Sequence, residues 1–344
     1  VRTAAALAMW KGLRREDLRR ILANMTAEEA LSTVERELPA GAPSEKELDR
    51  SVQLAIDHDI SHETHSGELY PAMLAAAPDA PAILFYRGSL EKLMSIPAIA
   101  VIGSRRCTQY GRRVAASLSR DMAAAGVAIV SGLARGIDSE AHRGALEAEG
   151  TTVAVMGHGL DICYPPEHSR LAAEIERKGV LLSEYPPGTP PAKFRFPERN
   201  RIISGLSLGV VVVEAGRESG TMITVGTALD QGREVFAVPG EITRALSMGT
   251  NMLLRDGAGV VITADDVLNP LGIQRPDRGD GQPASIPGGE TASRIVELLS
   301  EGQRHFDRLI RECGVEGGEL RRELLRLEIA GLIEKRPGGI YFLV

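Results

Sequence analysis

Three short segments of this chain join glycine to a hydroxyl or an arginine, the residue types that hold phosphate oxygens. They are Gly103-Ser104-Arg105-Arg106, Ser131-Gly132-Leu133-Ala134-Arg135-Gly136-Ile137-Asp138 and Glu218-Ser219-Gly220-Thr221. Glycine lets backbone N–H groups come close to a ligand. A helix opening after such a turn adds free N–H groups and the positive end of its dipole, so each turn is a candidate anion site. One such turn says little; three along one sheet edge make a row of phosphate sites. Arg105 and Arg135, beside the glycines, are the arginines best placed for ligand contact. A further cluster, Phe194-Arg195-Phe196-Pro197-Glu198-Arg199-Asn200-Arg201, sets two aromatic rings among arginines and could offer stacking and charge to an unpaired strand. The two phenylalanines could equally anchor a proline-rich loop in the core. Arg199 or Arg201 could brace that loop through an ion pair with Glu198 or Glu214.

The signatures of competing chemistries are missing. A dinucleotide fold needs Gly-x-Gly-x-x-Gly after its first strand and an acid after its second. Here the turns read Gly103-Ser104-Arg105-Arg106-Cys107-Thr108 and Ser131-Gly132. No Gly-x-x-x-x-Gly-Lys-Ser/Thr occurs, which disfavours a P-loop NTPase. His58, His62 and His65, with Asp57, Asp59 and Glu63, match metal spacing on a helix face. The Ser-Gly that follows and the lack of a cysteine partner favour a solvated stretch instead. His142 has no nucleophile at motif spacing and reads as a packing or capping residue. Cys107, Cys163 and Cys313 lie too far apart for a disulfide framework or a zinc knuckle, so a reducing cytoplasm is expected. No metal or cofactor is expected.

These turns must be held by a sheet. Apolar runs at residues 98–102, 127–130, 151–156, 180–182, 209–213, 234–238 and 259–262 suit buried parallel strands. Helical periodicity at 109–125, 137–149, 168–178 and 222–231 separates most of them, which predicts βαβ units and a Rossmann-like, doubly wound, mostly parallel α/β sheet. Residues 82–86 predict one more strand leading into it. The organisation expected is a small N-terminal helical domain (1–57), the Rossmann-like domain (58–269), a proline- and glycine-rich linker (270–289) and a C-terminal winged helix (290–344) of three helices and a hairpin. The last helix of the winged domain carries Arg321, Arg322 and Arg326 but also Glu316, Glu319, Glu323 and Glu328. That balance does not suit a recognition helix facing phosphates, and a protein-contact or structural role fits at least as well.

The 344 residues are 43% hydrophobic and 25% charged, ordinary for a soluble globular chain. No apolar run approaches the ~20 residues needed to cross a bilayer, and no membrane contact is expected. The formal net charge of −6 does not favour nucleic acid, so any such site must be a local basic patch.

Gly103-Ser104-Arg105, Tyr110-Gly111, the Ser131–Asp138 turn with Ala141-His142, Tyr164-Pro165, Ser183-Glu184, Phe196-Pro197-Glu198-Arg199-Asn200-Arg201-Ile202-Ile203, Val213-Glu214-Ala215, Ser219-Gly220-Thr221, Val238-Pro239-Gly240 and Gly249-Thr250-Asn251 run in one order along the chain. As a set they resemble the DNA-processing protein DprA (Smf) family. The resemblance implies sequence-independent binding of single-stranded DNA, dimerisation through the Rossmann-like domain, and loading of the recombinase RecA in natural transformation or homologous recombination. It implies no catalysis. It carries Arg105 over as a phosphate-binding residue, with the 131–136 loop beside it. The basic residue the family often places after Tyr-Pro is absent: Pro166, Glu167 and His168 follow, leaving Arg170 or Lys193 as substitutes. The residues expected to touch DNA are thus Gly103, Ser104, Arg105, Arg106, Ser131, Gly132, Arg135, Gly136, Lys193, Arg199, Asn200, Arg201, Ser219, Gly220 and Thr221.

The alternative is a nucleotide-processing enzyme, because the domain also resembles the phosphoribohydrolase group around its Gly-Thr helix opening. That group is marked by Pro-Gly-Gly-x-Gly-Thr-x-x-Glu, whereas this chain has Thr224 in place of the glutamate that would serve as general acid or base.

Overall fold

The run Ala98-Ile99-Ala100-Val101-Ile102 has no polar member, so a strand made from it must be covered on both faces. In the computed structural model it lies inside a nine-stranded sheet. The structure describes residues 1–274, 289–300, 302–329, 332–336 and 338–343. The strands are β1 (Ser61–Thr64), β2 (Ile83–Gly88), β3 (Ala98–Ile102), β4 (Ala128–Ser131), β5 (Thr152–Met156), β6 (Val180–Ser183), β7 (Gly209–Val212), β8 (Glu234–Ala237) and β9 (Gly259–Val260). Their order is β1-β2-β6-β5-β4-β3-β7-β8-β9. Every pairing from β6 to β9 is parallel, and β2 runs antiparallel to both β1 and β6.

Side chains alternate between the two faces with the pleat. On one face Ala100, Ile102, Val130, Val153 and Val155 pack with Ile202 and Ile203 of the helix Arg195–Gly205 and Val225 of the helix Gly220–Asp230. On the other, Ile99, Val101, Ile129 and Val211 meet Leu118 and Met122 of the helix Gln109–Ala124 and Ile137, Ala141 and Ala145 of the helix Ile137–Glu147. The sheet is doubly wound, as expected. The chain lays down β3 to β6 in one direction and then returns to place β7 on the far side of β3. At that reversal the loops leaving β3 and β7 diverge, and the crevice between them is where such sheets hold ligands.

Four helices precede the sheet: Arg2–Met9, Arg15–Leu22, Ala27–Glu37 and Glu45–Asp57. The last two open with capping boxes, Thr26 with Glu29 and Ser44 with Glu47. Leu7, Trp10, Leu18 and Leu22 share one apolar cluster with Ile83, Phe85, Leu133 and Ile175. Arg15 ties the second helix to Glu184 (3.4 Å) and Glu198 (2.7 Å). By compactness the chain divides into residues 1–276 and 277–344. Strand β1 is polar and lies at the sheet edge. Its His62, with His58 closing the preceding helix, removes the shared helix face that a three-histidine metal site would need. Among the described residues no group of three His, Cys, Asp or Glu is placed to hold a metal, and no helix is long and apolar enough to cross a membrane.

The second unit has helices Glu290–Ser300, Phe306–Cys313 and Gly317–Ile329 and strands β10 (Arg304–His305), β11 (Ile333–Arg336) and β12 (Ile340–Leu343), in the antiparallel order β10-β12-β11. Gly314, left-handed at φ 69°, ends the middle helix. Ile295, Leu299, Leu309, Leu320, Leu324 and Tyr341 form its core. This is the expected winged helix. Residues 275–288 of the expected linker lie outside the described residues.

Candidate nucleic-acid interface

The turn after β3 is fixed from below. Ser104 donates its N–H to the Glu214 carbonyl (2.8 Å), and its hydroxyl accepts from the Arg106 N–H (3.1 Å). The Glu214 carboxylate, itself buried, accepts from the Thr108 N–H (2.8 Å) and hydroxyl (2.6 Å), and Thr108 caps the next helix through the Gly111 N–H (3.1 Å). This leaves Arg105 and Arg106 exposed on the cleft, without an ion-pair partner among the described residues.

The turn after β4 rests on a buried guanidinium. Arg199, 3% exposed, donates to the Gly132 carbonyl (3.0 Å) and to the Asn200 side-chain oxygen (3.2 Å). Asp138 accepts from the Gly132 N–H (3.2 Å). A Cβ at residue 132 would lie 2.4 Å from the Arg199 Nη2 and 2.8 Å from the Asp138 Oδ2, so only glycine fits. Burial pulls the Arg199 pKa down to about 10, which still leaves it charged at neutral pH. Burial pushes the Asp138 carboxyl up, opposed by the charge of Arg199.

The cleft floor and rim come from five turns. Gly103, Ser104, Arg105 and Arg106 follow β3; Ala134 and Asp138 follow β4; Tyr164 follows β5. Lys193, Phe196, Arg199 and Asn200 lie beyond β6, and Ser219, Gly220, Thr221 and Thr224 follow β7. The open volume is ≈ 1580 Å³. Its lining carries Arg105, Arg106, Lys193 and Arg199 against one carboxyl, Asp138. A protein of net charge −6 thus presents a locally positive cleft. Arg105 sits 5.2 Å over the Phe196 ring, and Phe196 stacks on Tyr164 at 5.7 Å and 27°. Tyr164 is 43% exposed and Phe194 61%, so neither is a core anchor.

Of the residues expected to touch DNA, three are placed elsewhere. Ser131 is fully buried, its hydroxyl donating to the Val101 carbonyl (2.7 Å). Gly136 is buried at φ 81°, pressed against the Ser104 carbonyl. Arg201 is buried on Glu184 (2.5 Å), with Asp79 at 3.6 Å, so it is a brace whose partner is neither Glu198 nor Glu214. Arg135 reaches the cleft but is ion-paired with Glu167 at 2.5 Å. His142 is fully buried, with Nδ1 2.7 Å from the Thr152 hydroxyl, which donates to the Ile129 carbonyl. Burial, then the charges of His168 and Arg199, depress its pKa to about 3. It packs, as expected. Tyr164 and Thr224 were outside the expected set. An aromatic before proline was the signal for Tyr164; nothing in the sequence marks its exposure or the place of the buried Thr224 in the cleft wall.

The described residues thus form a Rossmann-like, doubly wound sheet with a basic, aromatic-lined cleft at its switch point, followed along the chain by a winged helix. The chain belongs to the family described as DNA recombination-mediator protein A, whose model matches residues 62–272, and the DprA winged helix domain model matches residues 281–339. Protein Smf of Escherichia coli is 42% identical over 279 residues, 79% of this chain and 74% of that protein. DNA processing protein DprA of Streptococcus pneumoniae is 46% identical over 205 residues, 58% of this chain and 71% of that protein. The X-ray structure of DprA from Streptococcus pneumoniae superposes with a TM-score of 0.62 at 37% identity, covering 75% of this chain and 87% of that one. DNA processing protein A from Helicobacter pylori, whose structure concerns its single-stranded DNA binding mode, gives 0.56 at 31% identity over 62% and 95%.

Proposed function

We propose that this protein binds single-stranded DNA without sequence preference in the cleft between β3 and β7 and hands it to RecA during natural transformation or homologous recombination. The observation that carries this reading is the Arg105–Phe196–Tyr164 stack beside glycine turns. Ring faces stack on any base and the guanidinium donates to the phosphate, so affinity needs no particular sequence. The single-stranded DNA binding of the Helicobacter pylori relative supports it. A cytoplasmic location comes from the scattered cysteines, and RecA loading from the family resemblance. Dimerisation through the Rossmann-like domain comes from the same source and fits the apolar side chains exposed at the β9 edge. We read the protein as a binding factor, because the carboxyl in the cleft, Asp138, is engaged with the Gly132 N–H, and Thr224 supplies no acid.

The test is fluorescence anisotropy with labelled oligo-dT across a salt series. Binding should weaken steeply with salt as counterions are released. Arg105→Ala should reduce affinity several-fold or more. Unchanged affinity in that variant removes Arg105 from the interface, and release of ribose 5-phosphate from AMP would establish the phosphoribohydrolase alternative instead.

A further inference from the structure

The inner end of the cleft is built differently from its rim. The helix Gly220–Asp230 opens there with no acidic residue in its first turn and no side-chain cap. The N–H groups of Gly220 and Thr221 meet no acceptor among the described residues. The Ser219 hydroxyl at the N-cap is buried and unpaired. Thr224 lines the cleft, is 2% exposed, and its hydroxyl has no hydrogen-bond partner among the described residues. Residues four apart share a helix face, so Thr224 stands over Gly220, where a Cβ would meet nothing within 4 Å. A buried hydroxyl left unpaired is costly, and the Ser219 hydroxyl at this open helix end, with the unpartnered Thr224 hydroxyl one turn on in the cleft lining, points to a missing acceptor.

We propose that this end of the cleft is a phosphate-monoester site. It rests on the reading of the cleft as a strand-binding groove and adds an end to that groove. Two backbone N–H groups and two hydroxyls from one helix opening call for several acceptor oxygens on one group. A terminal phosphate offers three, with close to two negative charges, whereas an internal diester offers two and a single charge. Arg106, lining the same cleft, supplies further positive charge. The monoester can belong to the 5′ end of a strand or to a free nucleotide.

The test uses the full chain with 3′-labelled oligo-dT carrying either a 5′-phosphate or a 5′-hydroxyl, and calorimetry with dTMP and thymidine. A 5′-phosphate that strengthens binding about tenfold, the effect of one charge-assisted hydrogen bond, identifies the strand end. Equal oligo binding with uptake of dTMP but not thymidine identifies the free nucleotide. Either preference must vanish in Thr224→Val. Because Thr224 is buried, Gly220→Asp provides the second variant. Its side chain enters open space, an acid in the first turn favours the helix, and the same charge repels the ligand. Unaltered thermal unfolding with loss of the preference supports the site. Equal oligo binding with no uptake of dTMP overturns it and leaves the strand reading standing. Uptake of dTMP with no binding of either oligo removes the strand reading and keeps the monoester pocket.

Discussion

Glu167 competes with any phosphate for Arg135 at the rim of the cleft. Its carboxylate holds the Arg135 guanidinium at 2.5 Å on the cleft rim, and that hydrogen bond keeps the Glu167 carboxyl below its ordinary pKa. A DNA phosphate reaching Arg135 must displace this counter-charge, and mild acid will not remove it. Glu167→Gln should therefore tighten oligo-dT binding several-fold at low salt. It should also steepen the slope of log affinity against log salt by about 0.7, the contribution of one added phosphate contact on a single strand. A slope that does not move in a salt titration would exclude Arg135 from the strand path. A second residue acts on stability. His142 is neutral in the folded chain, with a pKa of about 3 against the usual 6.5. The unfolded chain binds a proton between those values and the folded one does not, so its contribution is complete above 6.5 and is lost as pH falls toward 3. The unfolding free energy should drop by about 1.4 kcal/mol for each pH unit well inside that window. Urea titrations at pH 4.5 and 5.5 should show a smaller drop in His142→Gln; an equal drop in both proteins would mean that His142 takes up a proton when folded.

Positioning those side chains is the work of whole elements, and the first 57 residues share in it. Leu22 is fully buried in the cluster that includes Phe85 of β2 and Leu133 of the β4 turn. Leu133 is itself held at φ 54°, a left-handed conformation uncommon for a branched residue, by burial on that core. Leu22→Ala should cost about 2–5 kcal/mol, and the helices and sheet should unfold in one transition that circular dichroism and Trp10 fluorescence report together. Two separate transitions would show that the helices stand alone. The parallel strands could be read in the sequence because burial on both faces demands unbroken apolar runs, as in Ala98-Ile99-Ala100-Val101-Ile102 and Val210-Val211-Val212. β1 could not be: Ser61-His62-Glu63-Thr64 is polar, and backbone pairing to β2 alone makes it a strand. The same limit governs the site. Glycine turns announce where backbone can approach a ligand, so Gly103–Arg106 and Ser219–Thr221 were legible. Whether Arg199, Arg201 or Ser131 faces solvent depends on partners far along the chain, such as Glu184 for Arg201 and Val101 for Ser131, and no local pattern encodes these.

At the scale of the molecule, a net charge of −6 leaves the basic cleft to carry the proposed DNA binding, and another face remains to explain. The sheet ends at β9, a two-residue strand whose outer edge has no partner strand among the described residues. Val260 and Ile262 project from this edge with Ile262 79% exposed, and Ile242, after β8, is exposed further still. An open strand edge flanked by bare branched side chains is a template for another strand. The proposed dimer supplies one, since two copies related by a twofold axis would lay β9 against β9 and cover the same residues on both. Two clefts joined in this way would bind a long strand by two contacts, the second made at the high effective concentration that linkage provides. The double variant Val260→Glu/Ile262→Glu places like charges across that axis. It should sediment as a monomer where the parent sediments as a dimer. Its affinity for oligo-dT long enough to enter both clefts should fall tenfold or more, by about the factor that linkage confers, while its affinity for a short oligo stays unchanged. A variant that still sediments as a dimer would place the interface elsewhere on the domain, and equal losses for short and long oligos would show that the edge supports the cleft itself and not its pairing.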